Sequence, residues 1–325
     1  MELFIDITLL TFLCITAMAI TVIRKLFCAV MLASIFSLLC ACLFVTMDAV
    51  DVAFTEAAVG SGISTVLMLA ALNLTHSREK RPPHQPLVAL LVVGVTGIVL
   101  MYGTMDLPVF GDAAAPIHHH VAPRYIEQSP LEVGPPNFVT SILASYRGYD
   151  TLAETIVIFT AGLSVIALLG IRDRYAGRPI PSDRSAMKDY VVLRIVAKML
   201  MPFVFLFALY VQFHGDYGAG GGFQAGVIFA SGVIIHSLTL GRDRTLKAFP
   251  HQFLRGLATV GVLIYGGTGL ASILRGGNFL DYSVLAATQL KGQHLGIFLV
   301  ELGVGLTVFS IMILMYYAFS YRREP

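Results

Sequence analysis

Nine long runs of apolar residues set the strongest constraint on how this chain can fold. A hydrocarbon core of about 30 Å is crossed by a helix of about 20 apolar residues. Runs of that kind lie at residues 3–22, 26–47, 53–72, 87–105, 150–170, 190–212, 223–240, 256–274 and 294–319. Because 56% of the residues are hydrophobic and only 13% are charged, little is left for a soluble domain. The pattern predicts an all-α polytopic membrane protein with about nine transmembrane helices.

The basic residues between the runs predict the orientation. The first run is not expected to be a cleaved signal peptide, because Arg24 and Lys25 follow it instead of preceding it. Successive loops lie on opposite sides of the membrane, and the side of the first loop holds sixteen of the 22 lysines and arginines. The opposite side holds only four, namely Arg124, Arg147, Arg275 and Lys291. Since basic loops stay on the cytoplasmic side, we expect the N-terminus outside and the C-terminus inside.

Two charged, proline-containing loops divide the runs into groups of three, two and four. These loops are NLTHSREKRPPHQP, at 73–86, and IRDRYAGRPIPSDRSAMKD, at 171–189. They predict a three-helix unit at 1–80, a two-helix unit with a long outside loop at 81–185, and a four-helix unit at 186–325. No internal repeat, the usual sign of a self-contained secondary transporter, is detectable in the sequence. We therefore expect the chain to work inside a larger assembly.

Neither a metal site nor a cofactor site is expected. Four cysteines fall inside apolar runs without the spacing of a metal or redox site: Cys14, Cys28, Cys40 and Cys42. The segment 106–149 contains His118, His119 and His120, and its prolines and glycines argue against a regular helix. In an extended segment neighbouring side chains point opposite ways, so a solvated loop is favoured over a metal cluster. A net charge of +2 gives no indication of nucleic-acid binding.

Ionisable side chains within or next to the runs are the candidate ion-path residues. A charge near the bilayer centre costs about 2.5–3.5 kcal/mol, so each needs a partner, water or protonation. The candidates are Asp51, Glu56, Glu154, Lys198, His236 and Glu301. At a rise of about 1.5 Å per residue, those inside the runs are spread through the depth of the membrane, as a stepwise proton or cation relay requires.

Each candidate also has a structural interpretation. Glu56 lies on a run whose small residues predict close helix packing, where it is either an ion-path residue or a neutral buried acid. Lys198 precedes Pro202 by one turn, so the carbonyl of residue 198 lacks its helical hydrogen bond. This lysine is either a relay group or one half of an ion pair with Glu301 or with a partner's acid. For His236, a hydrogen bond to a neighbouring helix is favoured over proton transfer.

The stretch HGDYGAGGGFQAG, at 214–226, places six glycines between two apolar runs. It is not a phosphate-binding loop, because it lacks the GK[ST] ending and does not follow a strand. Its glycines instead predict a tight re-entry of the chain into the bilayer. In one interpretation Gln224 and the backbone line a polar pocket, with His214 and Asp216 as further candidates; in the other, the turn makes no ion contact.

Three segments resemble known membrane proteins. DVAFTEAAVGSGISTVL (51–67) resembles the C-terminal tail of the A-type subunit of the Mrp-type multisubunit sodium/proton antiporter, which is similar to the D-type subunit of membrane-bound hydrogenases. NFVTSILASYRGYDTLAE (137–154) resembles the next piece of that tail, which is similar to the E-type subunit of the hydrogenases. HGDYGAGGGFQAGVIFASGVII (214–235) resembles the signature of MnhB, the B-type antiporter subunit. The resemblance covers nearly the whole chain and joins the B-type subunit to a tail that usually belongs to the A-type one.

This resemblance implies a non-enzymatic subunit of a monovalent cation/proton antiporter in a bacterial cell membrane. It implies sodium ions and protons as the transported ions, and large antiporter-like and small membrane subunits as partners. It also implies that Glu56 and Glu154 take part in ion transport. Two alternatives stay open: a membrane-arm subunit of a hydrogenase or related respiratory complex, and a non-conducting scaffold that joins other subunits.

Overall fold

The computed structural model describes residues 2–72, 74–79, 86–109, 111–169 and 190–320. The expected unit boundaries near residues 80 and 185 lie outside these ranges. Within them the chain is helical without named strands, and nine helices are long and apolar enough to cross a membrane. We number these helices α1 Glu2–Val22, α2 Leu26–Thr46, α3 Val50–Leu72, α4 Pro86–Thr104, α5 Gly148–Leu169, α6 Val191–His214, α7 Gly222–Leu240, α8 His251–Leu274 and α9 Gln289–Phe319. The predicted fold class is confirmed.

The helix boundaries agree with the apolar runs except at two starts. We predicted α8 to begin at residue 256 and α9 at 294, whereas they begin at His251 and Gln289. The first turns of both helices are polar, with His251 and Gln252 in one and Lys291 and Gln293 in the other. A count of apolar residues therefore misses turns that extend beyond the hydrocarbon core.

Helix α9 is the centre of the bundle, and glycines bring its neighbours onto its backbone. A Cβ on Gly261 of α8 would lie 2.6 Å from the carbonyl oxygen of Gly303, and one on Gly226 of α7 would lie 2.7 Å from that of Gly305. Such spacings are available only to residues without side chains, and small residues provide helix contact in membranes. By contrast, α4 has no buried residue in its span.

Loops from the same predicted side of the membrane meet one another. At one end the Tyr282 hydroxyl donates to the carbonyl of Ala144 at 3.0 Å, and Gln289 Nε2 donates to the carbonyl of Glu132 at 3.0 Å. At the opposite end the amide of Leu26 donates to the carbonyl of Ser77 at 3.2 Å. We call these the outer and inner ends after the predicted orientation, which stays a prediction.

The outer segment 106–149 is more ordered than the sequence indicated. It forms short helices at Pro116–His119, Val121–Glu127, Ser129–Glu132 and Phe138–Ser141, followed by a π-helical turn at Ile142–Tyr146. The expectation of no regular helix was therefore wrong for single turns, because a proline fits the first turn of a helix without loss of a hydrogen bond. His118, His119 and His120 are exposed. No group of three or more potential metal ligands occurs among the described residues.

Candidate functional site

The glycine-rich segment is a tight turn that folds back onto the end of α6. The amide of Gly218 donates to the carbonyl of His214 at 3.1 Å, and the amide of Gly221 donates to that of Val211 at 3.1 Å. Gly221 has φ +133°, a conformation that L side chains rarely adopt. Helix α7 begins at the next residue, Gly222. The local geometry agrees with the predicted re-entry.

Asn137, from the long outer segment, holds this turn in place. Its Nδ2 donates to the carbonyls of Gly215 at 3.2 Å and Gly218 at 3.0 Å, and lies 3.4 Å from Asp51 Oδ1 on α3. The hydroxyl of Thr140, one turn later, donates to the same Gly215 carbonyl at 2.6 Å. The three units expected from the sequence therefore meet at this turn, because Asp51, Asn137 and Gly215 come from different ones.

Three carboxylates converge on the turn. Asp51 Oδ1 also accepts from the amide of Gly220 at 3.4 Å. Asp216 Oδ2 lies 3.2 Å from Nδ1 of His294 on α9. Glu301, about two turns after His294 on α9, is partly buried and close enough to Asp51 and Asp216 for mutual repulsion. Three acidic side chains are thus concentrated around the turn at the outer end.

Glu301 and Gln224 face the same small space, which we call the outer pocket. A Cβ on Gly221 would lie 3.4 Å from Glu301 Oε1 and 3.3 Å from Gln224 Oε1. Gln224 is 8% exposed, and its Nε2 donates to the Thr55 hydroxyl of α3 at 2.7 Å. That bond directs the amide nitrogen to α3 and leaves the amide oxygen on the side of Glu301. The outer pocket therefore collects oxygen acceptors beside a backbone that carries no side chains.

Glu56 lies near this site but contacts α2 instead. The Ser37 hydroxyl donates to Glu56 Oε1 at 2.5 Å, and a π-helical stretch, Ala57–Ser64, begins at the next residue of α3. Gly60 is required here, since a Cβ on it would overlap Ser37 Oγ and lie 2.5 Å from Glu56 Oε1. The small residues of this run do bring α2 and α3 together, and π-helical segments are frequent at functional sites.

The remaining predicted site residues lie elsewhere. Glu154 is exposed on α5, one turn after Asp150. His236 Nδ1 lies 2.7 Å from the Thr245 hydroxyl at the inner end, which agrees with the favoured structural interpretation. His214 stacks on the ring of Tyr210, with centroids 4.7 Å apart, and makes no described contact with the carboxylates. The outer pocket thus includes Gln224 and lies beside Asp216, but His214 faces an aromatic side chain.

The proposed ion pair between Lys198 and Glu301 is wrong. Lys198 is exposed on α6, seventeen residues before Gly215, which corresponds to about 25 Å along the helix axis. Glu301 instead lies beside Gly215 itself, with its Oε1 3.4 Å from where a Cβ there would be. Lys198 is thus about two-thirds of a helix length below the carboxylates.

Sequence reasoning missed four residues that build the site, namely Thr55, Asn137, Thr140 and His294. A signal existed only for Asn137, which precedes a short helix and accepts a hydrogen bond from the amide of Val139 at 3.1 Å, as a helix N-cap does. Its second function, donation across to another unit, has no local pattern.

A second polar group lies on the outer surface, outside the membrane-spanning segments. Glu132 accepts from the Tyr146 hydroxyl and pairs with Arg124 at 3.0 Å. The hydrogen bond from Tyr146, together with Arg124, lowers the pKa of Glu132. Burial and the same hydrogen bond raise the pKa of Tyr146 to about 12. This pair fixes the outer segment just before α5.

Comparison with family models divides the chain into three matched regions. Residues 192–314 match a domain related to the MnhB subunit of Na+/H+ antiporter. Residues 11–77 match MbhD and residues 85–183 match MbhE, which are the D-type and E-type subunits of MBH.

Two curated relatives cover different parts of the chain. A Rhizobium meliloti protein named as the probable K(+)/H(+) antiporter A/B subunit is 25% identical over 318 residues, which is 87% of this chain and 31% of that protein. A Staphylococcus aureus protein named as antiporter subunit mnhB2 is 32% identical over 137 residues, which is 41% of this chain and 96% of that protein. The chain therefore spans about a third of the longer relative and nearly all of the shorter one.

Two solved structures share the fold. A chain of the Mrp complex from Dietzia sp. DQ12-45-1b superposes with a TM-score of 0.77 and 25% identity, covering 98% of this chain and 35% of that one. A chain of the membrane-bound sulfane sulfur reductase, an archaeal respiratory membrane complex, superposes with a TM-score of 0.52 and 29% identity, covering 71% of this chain and 97% of that one.

Proposed function

Because the chain belongs to the family of antiporter subunits related to MnhB, we propose that it is a membrane subunit of a multisubunit monovalent cation/proton antiporter. In this proposal it lies in a bacterial cell membrane with its N-terminus outside, beside large antiporter-like subunits and small membrane subunits. It performs no enzymatic reaction. We further propose three units, at 1–80, 81–185 and 186–325, and the matches at 11–77, 85–183 and 192–314 support this division.

The observation that carries this proposal is the meeting of all three units at the outer pocket. A charged group inside a membrane protein is costly unless an ion or water compensates it, so such groups mark ion paths. Here Asp51, Asp216 and Glu301 lie around one glycine turn that Asn137 holds. In the proposed path, ions enter at this outer site. Glu56, tied to Ser37 on α2, provides the next carboxylate.

The test is exchange by the assembled complex in membrane vesicles. Glu→Gln substitutions keep size and hydrogen bonding but remove the negative charge and the titration. We expect Glu301→Gln and Glu56→Gln each to lower the exchange rate about tenfold or more, which corresponds to about 1.4 kcal/mol. The matched control is Glu127→Gln, since Glu127 is exposed on the outer segment away from the pocket. Parental rates in both pocket-side variants would favour the scaffold alternative.

A lone chain is expected to be inactive. The span of α4 has no buried residue, and Glu154 and Lys198 are exposed, so these surfaces require partners in a membrane. Expressed without neighbouring subunits, the chain should neither confer sodium resistance on an antiporter-deficient host nor drive exchange. Robust exchange by the lone chain would contradict the subunit proposal.

The second candidate function is a membrane-arm subunit of a hydrogenase or related respiratory complex. The matches to MbhD and MbhE and the likeness to the sulfane sulfur reductase chain favour it. Purification of the native complex and identification of its subunits by mass spectrometry separates the two functions. Nickel–iron or iron–sulfur subunits in the complex would support the respiratory candidate.

A further inference from the structure

The outer pocket contains an oxygen acceptor that its surroundings leave unused. Gln224 is more than nine-tenths buried, with 8% of its surface exposed. Its amide nitrogen donates to Thr55, but within the described residues no donor reaches its Oε1. Water or a cation can take the place of the missing donor in such a pocket. The carboxylate of Glu301 likewise receives no hydrogen bond from the described residues.

The two unused oxygens lie around one position. Both Gln224 Oε1 and Glu301 Oε1 are within 3.4 Å of the point where a Cβ on Gly221 would be. The backbone conformation of Gly221 already requires glycine, but that of Gly215 does not, since its φ of −53° is ordinary helical backbone. A Cβ on Gly215 would lie 3.4 Å from Glu301 Oε1 and 3.2 Å from Gly221 Cα. The absent side chain at Gly215 therefore keeps the outer pocket open.

Acidic side chains surround this position. Asp51 and Asp216 both lie near Glu301. Among the ion pairs of the described residues, only that of Asp216 with His294, at 3.2 Å, involves any of the three carboxylates. A proton on Glu301 would let its carboxyl donate to Gln224 Oε1, whereas a cation at this position would take both oxygens as ligands. An amide oxygen and a carboxylate oxygen together form a ligand set that hard cations prefer.

We propose that the outer pocket binds one monovalent alkali cation, with Glu301 and Gln224 as its side-chain ligands. This inference rests on the proposed function, which supplies monovalent cations as the transported class. The amide of Gln224 is positioned by Thr55, and the glycine turn leaves the space that the cation occupies. Asp51 and Asp216 attract the cation without ligating it. Glu56 is not a ligand, because it is engaged with Ser37 on α2.

The first experiment measures binding of ²²Na+ to the purified, assembled complex by equilibrium dialysis. We expect Gln224→Leu and Glu301→Gln each to raise the dissociation constant of one sodium site about tenfold or more. The number of tightly bound sodium ions per complex should then fall by one. Gly215→Ala, which fills the pocket on an ordinary backbone, is expected to do the same. Gly256→Ala is the matched control, because a Cβ there meets nothing within 4 Å. Unchanged binding in both ligand variants would overturn the inference.

The second experiment uses the unmodified complex, so it does not depend on the folding of a variant. A hydrophobic carbodiimide labels carboxyl groups that lie in apolar surroundings, and mass spectrometry locates the label. We expect sodium ions to protect the peptide containing Glu301 and to leave the labelling of the peptide containing Glu154 unchanged. Equal labelling of Glu301 with and without sodium would contradict the proposed site.

The outcomes also separate this inference from the proposed function. If Glu56→Gln abolishes exchange but keeps the tight sodium site, both proposals are supported. If the parental complex binds sodium at the outer pocket but exchanges no cation for protons, the antiporter function fails and the site stands. In a third outcome, Glu301→Gln lowers exchange, but the parental complex neither binds sodium at the pocket nor shows sodium protection of Glu301. The antiporter function then stands and the cation site is overturned, because the pocket conducts protons only.

Discussion

Removal of the Asn137 side chain is expected to loosen the attachment of the glycine turn to the outer segment. In Asn137→Ala the carbonyls of Gly215 and Gly218 lose donors that now lie at 3.2 and 3.0 Å, whereas the Thr140 hydroxyl still donates to Gly215 and the amide of residue 137 still donates to the carbonyl of Asp216. Each such hydrogen bond contributes about 0.5–1.5 kcal/mol net. The variant also loses the N-cap of the short helix that carries Thr140, worth about 0.5–2 kcal/mol. Together these changes lower the free energy of local opening by about 1.5–5 kcal/mol.

Hydrogen exchange with mass spectrometry on the purified complex measures this opening directly. The amides of Gly218 and Gly221 are protected by hydrogen bonds to carbonyls of α6. A loss of about 1.5–5 kcal/mol accelerates their exchange about 10- to 4,000-fold, since about 1.4 kcal/mol corresponds to a factor of ten. Asn137→Asp separates the two contributions, because an aspartate still caps the helix but donates nothing to the turn.

The control is Asn278→Ala, which removes an asparagine at the same end of the bundle whose side chain makes no described hydrogen bond. We expect this variant to exchange like the parent, and Asn137→Asp to open the turn nearly as much as Asn137→Ala. If the amides of the turn exchange within about threefold of the parental rate in Asn137→Ala, the loss in opening free energy is under about 1 kcal/mol. That result would refute the conclusion that Asn137 holds the turn.

The other predictions concern the α2 contact, the outer surface and the inner half of α6. Gly60→Ala should lower the melting temperature and the exchange rate of the complex, because the new Cβ would overlap Ser37 and Glu56, which join α2 to α3. Gly62→Ala is the control and should change both quantities little, since its Cβ meets only a carbonyl at 3.4 Å. Equal effects of the two substitutions would contradict the packing argument. Tyr146→Phe should destabilise the protein near pH 7 and progressively less as the pH falls through the lowered pKa of Glu132, since a depressed carboxyl pKa contributes stability only above it. A difference that grows in acid, in thermal unfolding scanned from neutral to acidic pH, would contradict this sign. Lys198→Met should assemble but lose much of its exchange, and a normal rate would reduce this lysine to a structural residue.

The sequence predicted the helices well because crossing a membrane leaves few alternatives. Every backbone amide in the hydrocarbon core must be bonded within its own segment, so a long apolar run specifies a helix almost alone. The same reasoning failed at the starts of α8 and α9, where polar residues such as His251 and Gln293 continue the helix outside the core. Helix length in water is decided by contacts with neighbouring segments, which no apolar count contains.

The site was harder to predict because its members are joined across units. Glu301 and Gln224 were both candidates, yet nothing in the local pattern places them on one pocket, since they lie 77 positions apart on different helices. The pairing of Lys198 with Glu301 was one of two alternatives that charge suggested, and the structure excludes it because Glu301 lies beside Gly215, about 25 Å along α6 from Lys198. Asn137 begins one of the segments that resemble the antiporter, but it was not predicted as a site residue, because its amide acts on a turn 78 positions later.

The outer pocket is built from residues of all three proposed units. No unit contains the whole site: the first provides Asp51 and Thr55, the second Asn137, and the third Gln224 and Glu301. The hydrogen bonds that join them are worth only about 1 kcal/mol each, so packing of small and apolar residues between the helices has to provide most of the energy that holds the units together. A movement of the second unit relative to the others, such as a partner protein would impose on the exposed helix α4, would therefore act on the pocket through Asn137 and Thr140, which join this unit to the glycine turn.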